Sequence, residues 1–107
     1  MTDPEITRAC AVAMMLQEVP YRFGQPPAKH PESALRMAQG AKAPHWYDPL
    51  HNDAQMAAMV KEFRLNLFPY KDKWGASQLK DRLSDETLNP DLNRAVCEYV
   101  AKIGEAA

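Results

Sequence analysis

The chain contains 107 residues with a mass of 12.1 kDa, a size that fits one domain with a single modest core. Its 13 basic and 14 acidic residues give a net charge of −1, which argues against both a duplex-binding surface and an acidic DNA mimic. Hydrophobic residues make up 46% of the chain and charged residues 25%, a composition that argues against intrinsic disorder.

The first predicted element is a helix that begins at Thr2. Thr2 and Glu5 have the spacing of a capping box, and the apolar residues that follow recur at helical intervals. The helix is expected to end before Pro20, because the residue that precedes a proline disfavours helical geometry. Residues 20–31 contain several prolines and a glycine, and are predicted to form a Pro-rich loop.

Two further elements are predicted before the middle of the chain. Residues 32–39 have apolar positions compatible with a short helix, and Gly40 is a natural left-handed residue at its end. Residues 41–51 are predicted to form a second loop, which carries the aromatic residues Trp46 and Tyr47. Large aromatic side chains on a surface loop are typical of protein contact sites.

A second long helix is predicted after this aromatic loop. Either Asn52 or Asp53 can serve as its N-cap, since both side chains accept hydrogen bonds from the first turn. Its apolar face consists of four residues at helical spacing: Met56, Met59, Val60 and Phe63.

The pattern that follows fits either a strand or a longer helix. Residues 64–68 alternate between polar and apolar side chains, which indicates a strand, although the helical period also continues to Leu67. We favour the strand, because residues 71–73 make a plausible hairpin turn and residues 74–79 can return as its partner. Residues 77–88 fit helix and strand equally.

The last predicted element is an amphipathic helix. Asn89 is expected to cap it, Pro90 to occupy its first position and Gly104 to end it. Its apolar stripe consists of Leu92, Ala95, Val96, Tyr99, Val100 and Ile103.

Taken together, these elements predict one α+β domain over residues 1–107. A small antiparallel hairpin or sheet is expected to pack against three to four helices. The alternative, left open by the ambiguous stretches, is an all-α helical bundle.

Several short motifs in the chain resemble those of a known family. These are Ile-Thr-Arg-Ala-Cys-Ala at residues 6–11, His-Trp-Tyr-Asp at 45–48, an Ala-rich helix at 54–58, Trp-Gly-Ala at 74–76 and Arg-Ala-Val-Cys-Glu-Tyr-Val-Ala at 94–101. Together they resemble the small phage and prophage proteins of the phage ABA-sandwich domain. That resemblance implies a small sheet packed between helices and a phage-derived accessory protein. Members are largely without assigned function, so the family supplies no catalytic residues.

No pattern in the sequence predicts catalysis or a cofactor. The residue types that bind divalent metals cluster only at His45, Asp48, His51 and Asp53, where helix capping and solvated histidines are the simpler interpretation. The serines lie outside any nucleophile motif, and the four glycines are too scattered for a phosphate-binding loop. We therefore expect a non-enzymatic protein without a metal or cofactor.

Compartment and redox state follow from the ends of the chain and from its two cysteines. The first five residues are polar and acidic, unlike a secretory leader, and the apolar stretch 9–16 is too short to span a bilayer. Cys10 and Cys97 both fall on apolar helical faces, which predicts buried, reduced thiols. The expected location is the cytoplasm, without membrane association; for a phage-encoded protein this is the host cytoplasm.

These observations lead to one main functional hypothesis and one alternative. The main hypothesis is a protein that binds a host or anti-phage defence component, with homodimerisation also compatible with the near-neutral charge. The expected contact residues combine aromatic and basic side chains: Trp46, Tyr47, Tyr70, Lys71, Lys73, Lys80 and Arg82. The alternative is a protein that binds a small molecule such as a nucleotide signal.

Overall fold

The computed structural model describes residues 1–19, 33–39, 45–78 and 86–106. The described elements, in chain order, are α1 (Asp3–Ala13), β1 (Gln17–Glu18), β2 (Leu35–Ala38), β3 (His45–Tyr47), α2 (Asp53–Phe63), β4 (Asn66–Pro69), β5 (Trp74–Ser77), β6 (Thr87–Asn89) and α3 (Leu92–Ala106). This mixture confirms the α+β class and shows that the all-α alternative is wrong. The predicted Pro-rich loop at 20–31 lies outside the described residues.

The strands form two antiparallel sheets rather than the single hairpin or sheet that the sequence predicted. Sheet 1 has the order β1-β2-β3, and sheet 2 has the order β4-β5-β6. Sheet 1 packs on α1, and sheet 2 packs on α3. The two long helices α1 and α3 pack closely on each other, so each sheet covers a different helix of the central pair.

Helix α1 begins where its sequence predicts and ends earlier. Thr2 has an extended backbone, and its side chain accepts a hydrogen bond from the backbone N–H of Glu5, which confirms the N-cap. The helix does not run to Pro20; it ends at Ala13 because Met15 adopts a left-handed conformation with φ of 60°. The N–H of Leu16 then reaches back to the carbonyl of Ala11 at 2.9 Å, a Schellman-type ending that turns the chain into β1.

Sheet 1 corrects two sequence predictions. Residues 35–38, expected within a helix over 32–39, form strand β2, and residues 45–47 of the expected aromatic loop 41–51 form strand β3. Residues 40–44 are outside the described ranges. Burial alternates along β2 as expected for a strand, since Met37 is buried whereas Arg36 is partly exposed on the other face. Pairing with β1 and β3 outweighs the helix propensity of these residues.

Helix α2 and sheet 2 follow the sequence prediction more closely. The Asn52 side chain accepts from the N–H of Gln55 at 3.0 Å and caps α2, and Arg64 ends the helix in a left-handed conformation. The predicted strand and its partner are present as β4 and β5, joined by the expected turn over residues 71–73. Part of the ambiguous stretch 77–88 turns out to be a third strand, β6, while residues 79–85 are not described.

Helix α3 is offset from its predicted bounds at both ends. Asn89 ends β6 rather than capping the helix, and Pro90 precedes the helix, which starts at Leu92. The Asp91 carboxylate instead accepts from the N–H of Asn93 at 3.2 Å, so this residue takes the capping role. Gly104 does not end the helix, which continues to Ala106.

The core lies between the helices and the inner faces of the two sheets. Its largest fully buried apolar side chains include Ile6, Cys10, Met37, Met59, Val96, Cys97 and Val100. Burial of each large aliphatic side chain contributes about 1.5–3 kcal/mol relative to exposure. Within the described ranges, no helix is both long and apolar enough to cross a membrane.

Candidate contact surface

Three polar side chains with catalytic potential meet near the connection between β3 and α2. The Ser33 hydroxyl donates to Oδ1 of Asp48 at 3.0 Å, and Nδ1 of His51 lies 3.0 Å from Oδ2 of Asp48. The same Nδ1 lies 3.1 Å from the Ser33 oxygen, so both partners converge on one ring nitrogen. In a Ser-His-Asp triad the acid and the nucleophile bond to opposite ring nitrogens, and this cluster therefore lacks triad geometry.

Burial of this cluster also limits its chemistry. Ser33 is 0% exposed, whereas the side chains of Asp48 and His51 are 12% and 31% exposed. A substrate has no route to the Ser33 oxygen in this arrangement. The cluster instead ties the residue before β2 to the β3–α2 connection, and each buried polar atom in it has a partner.

The β3–α2 connection is held rigidly by two amide side chains. Gln55 accepts from the N–H of Asp48 at 2.7 Å and donates to the carbonyl of Trp46 at 2.9 Å. Asn93 of α3 donates to the carbonyl of Pro49 at 3.2 Å and to the carboxylate of Asp53 at 3.0 Å. Trp46 is therefore presented from a backbone fixed by α2 and α3.

The four candidate metal ligands do not come together. Asp48 and His51 are neighbours, but Asp53 is bonded to Asn93, and His45 lies exposed on β3 with its ring edge-on to Tyr47 at a centroid distance of 6.2 Å. Among the described residues, no group of three or more His, Cys, Asp or Glu side chains is placed to hold a metal ion.

Tyr47 was expected to be an exposed contact residue, and this expectation is wrong. Its side chain is 4% exposed, because β3 turns it toward the core on the same face as its register partner Leu35. Burial raises the pKa of the Tyr47 phenol well above its usual value. Its hydroxyl has no hydrogen-bond partner within the described part of the chain.

The two cysteines are buried and free, as the sequence predicted. The Cys10 thiol donates to the carbonyl of Cys97 at 3.3 Å across the α1–α3 interface. The interaction with the Cys10 side chain, together with burial, raises the pKa of Cys97 strongly. A buried thiol is a poor nucleophile, and both cysteines are 0% exposed, so neither is poised for covalent chemistry.

The exposed side of sheet 1 carries an arginine in contact with a tryptophan ring. Arg36 and Trp46 are register partners on β2 and β3, on the face opposite the buried Met37. The guanidinium carbon of Arg36 lies 5.5 Å from the centroid of the Trp46 ring, within the range of a cation–π contact. Both side chains are partly exposed.

Two other arginines are already paired with carboxylates. Arg8 makes two hydrogen bonds to Glu18 at 3.0 and 3.2 Å, and this hydrogen bonding raises the pKa of Arg8. Arg94 donates to Asp3 at 2.9 Å, and the pKa of Arg94 is raised for the same reason. Arg36 differs from them, because no carboxylate in the described ranges pairs with it.

The β4–β5 hairpin presents a second set of aromatic and basic side chains. Lys71 and Lys73 are exposed, and the Lys73 ammonium lies 6.0 Å from the centroid of the Tyr70 ring. The Tyr70 hydroxyl donates to the carboxylate of Glu86 at 2.8 Å, which fixes the ring. The remaining predicted contact residues, Lys80 and Arg82, lie outside the described residues.

Sequence reasoning missed Arg36 as a surface residue. The alternation of Leu35 and Met37 with Arg36 and Ala38 has a period of two, and this signal would have placed Arg36 on an outer strand face. The hydrogen bond between Tyr70 and Glu86 joins residues sixteen positions apart, so no local sequence pattern predicts it.

Comparisons with protein-family models, with curated proteins and with solved structures returned no match. The functional argument for this chain therefore depends on the geometry described above.

Proposed function

We propose that this chain is a small phage-derived accessory protein that binds a host or defence-system protein and acts without catalysis. The phage origin is supported by the resemblance of its short motifs to the phage ABA-sandwich family. The binding role is supported by the surface chemistry of the two sheets.

The observation that carries this proposal is that each of the two sheets presents a cation–aromatic contact on its surface. Arg36 lies over Trp46 on sheet 1, and Lys73 lies over Tyr70 on the hairpin of sheet 2. Tryptophan, tyrosine and arginine are the residues most enriched at the energetic centres of protein interfaces. Their rings are held by the fold, which lowers the entropy lost on binding a partner.

The polar chemistry of the interior supports a non-catalytic role. The hydroxyl of Ser33 is buried and bonded to Asp48, and the thiols of Cys10 and Cys97 are buried between α1 and α3. These are the strongest nucleophile candidates in the described ranges, and each contributes to internal packing or hydrogen bonding.

Binding of a nucleotide signal was the alternative hypothesis from the sequence. Stacking of a base requires exposed aromatic side chains, and Tyr47 is buried in the core. One face of the Trp46 ring is covered by Arg36, so that face is not open to a stacked base. We therefore rank protein binding first.

Affinity capture from a bacterial host lysate, followed by mass spectrometry, tests the proposal. Tagged wild-type protein is compared with a Lys71→Glu/Lys73→Glu variant, which reverses the hairpin charge, and with a Lys61→Glu/Arg64→Glu variant at the exposed end of α2, which changes the net charge equally and serves as the matched control. We expect one host protein to be enriched by the wild type and the control. If no protein is enriched above background, the proposal loses its main support.

A thermal-shift screen against nucleotides tests the alternative with the same protein. A protein-binding role predicts no saturable shift with any nucleotide. A large, stereospecific shift with one of them would replace protein binding as the leading function.

A further inference from the structure

We propose that the outer face of sheet 1 binds an acidic segment of the partner protein, with Arg36 as the residue that receives a carboxylate. This inference rests on the proposed protein-binding function and adds the chemistry of the partner. It commits to an Asp or Glu side chain within a peptide segment.

The first step is the position of the arginine. Arg36 lies on β2, the central strand of sheet 1, and its side chain points away from the core because the neighbouring Met37 is buried on the opposite face. The register places Trp46 directly beside it on β3. A partner that covers this face therefore meets the arginine near the middle of the sheet.

The second step is the charge on this face. Glu18 is the only acidic residue in the three strands, and it is the register partner of Met37, so it belongs to the opposite face. Its carboxylate is already bonded to Arg8 through both oxygens. The outer strand face thus carries the positive charge of Arg36, and no carboxylate of the described residues forms an ion pair with it.

The third step is the geometry of the guanidinium group. Arg36 lies over the indole ring of Trp46, with the ring centroid 5.5 Å from the central carbon of the guanidinium group. The N–H groups lie in its plane and can donate to two oxygens at once, which matches a carboxylate. Trp46 limits the rotamers of the arginine, so less side-chain freedom is lost when the carboxylate binds.

Trp46 also favours a peptide over a nucleotide as the occupant. Recognition of a nucleotide combines a phosphate with a stacked base, and the base needs an open aromatic face. The guanidinium group of Arg36 occupies one face of Trp46, and Gln55 holds the backbone of that residue in place. A peptide carboxylate needs only the N–H groups of the guanidinium and does not require an open face of the Trp46 ring.

Selection of peptides from a random display library on the purified protein tests this inference. An enriched peptide is synthesised in two forms, one as selected and one with each Asp and Glu replaced by Asn and Gln. Binding of both forms is measured by fluorescence anisotropy to the wild type, to Arg36→Gln, and to Arg64→Gln as a control of equal charge on an exposed site. Circular dichroism confirms that each variant is folded.

We expect the enriched peptides to contain Asp or Glu. The amide form should bind the wild type at least about tenfold more weakly than the acidic form does. The acidic form should also bind Arg36→Gln at least about tenfold more weakly than it binds the wild type. Arg64→Gln is expected to bind like the wild type. Enriched peptides without acidic residues that bind Arg36→Gln as tightly as they bind the wild type would overturn this inference but not the proposed protein-binding function. Competition by inorganic phosphate stronger than by the acidic peptide would also overturn it. If no peptide is enriched, the inference fails, and the lysate capture decides separately on the proposed function.

Discussion

Replacement of Gly104 by alanine tests the central helix packing of the fold. Gly104 lies inside α3, where it faces the backbone of Ala9 in α1. A Cβ atom at position 104 would lie 2.7 Å from the carbonyl carbon of Ala9 and closer still to its oxygen. Real Cβ atoms essentially never come within 3.0 Å of a non-bonded heavy atom. The obstruction is backbone, so it cannot be relieved by a change of rotamer.

Two opposing effects determine the size of the change. Alanine is favoured over glycine in a helix interior by about 1 kcal/mol, which would stabilise the protein. Overpacking of a close contact costs about 1–3 kcal/mol and occasionally more, because α1 and α3 must move apart. We expect the clash to outweigh the propensity, with a net loss of about 1–3 kcal/mol and a fall in Tm of roughly 5–15 °C for a domain of this size.

Thermal and urea unfolding of Gly104→Ala, Gly75→Ala and the wild type measure this effect. Gly75→Ala is the comparison variant, since a Cβ there would meet the side chain of Glu86, with its Cδ at 2.6 Å, and that flexible group can move aside at the cost of its hydrogen bond to Tyr70. This variant is expected to change the free energy of unfolding by no more than about 1 kcal/mol. A Tm for Gly104→Ala equal to or above that of the wild type would refute the reasoning about the α1–α3 contact.

Three further predictions concern single side chains. Met15→Gly should raise the free energy of unfolding by up to about 1 kcal/mol in urea titrations, because Met15 is 83% exposed and has a φ of 60°, and a loss would contradict the assigned helix ending. Tyr47→Phe should raise stability by about 1–2 kcal/mol at neutral pH, because it removes a buried hydroxyl without a partner in the described ranges; a clear loss would show that the hydroxyl is bonded. In the unfolded chain the Tyr47 phenol has a pKa of about 10, whereas burial raises its pKa in the folded protein. The wild type should therefore lose stability as the pH rises above about 10, and Tyr47→Phe should lose less stability in the same thermal scans. Ser33→Ala should cost about 1–2 kcal/mol by urea unfolding, since it removes the donor to the Asp48 carboxylate, and an unchanged midpoint would show that this hydrogen bond contributes nothing.

The elements with local signals were the ones predictable from sequence. The cap at Thr2, the cap at Asn52 and the turn over residues 71–73 depend on side chains within a few residues of one another. Such local chemistry determines where an element starts or reverses, and it is legible without tertiary information.

The elements that were mispredicted depend on distant partners. Strand β2 consists of Leu35, Arg36, Met37 and Ala38, all good helix formers, and only its pairing with β1 and β3 makes it a strand. Gly104 has the sequence signature of a helix end, but it is needed for close contact with Ala9, which is more than ninety residues away. No local sequence pattern predicts either the strand or the contact between Gly104 and Ala9.

The candidate surface was predictable in part. Trp46, Tyr70, Lys71 and Lys73 were named from residue type alone, and the structure places Lys71 and Lys73 in the open and Trp46 and Tyr70 partly exposed. Tyr47 was misassigned, because membership of a strand rather than a loop decides which of two neighbouring aromatic residues faces the core.

Quantitative lysate capture with wild type, Arg36→Gln and Arg64→Gln tests the central claim most directly. The account predicts that one host protein is enriched by the wild type and by Arg64→Gln, and that Arg36→Gln recovers at least about tenfold less of it because the charge-assisted contact is lost. Equal recovery by all three proteins, or enrichment by none, would contradict the account.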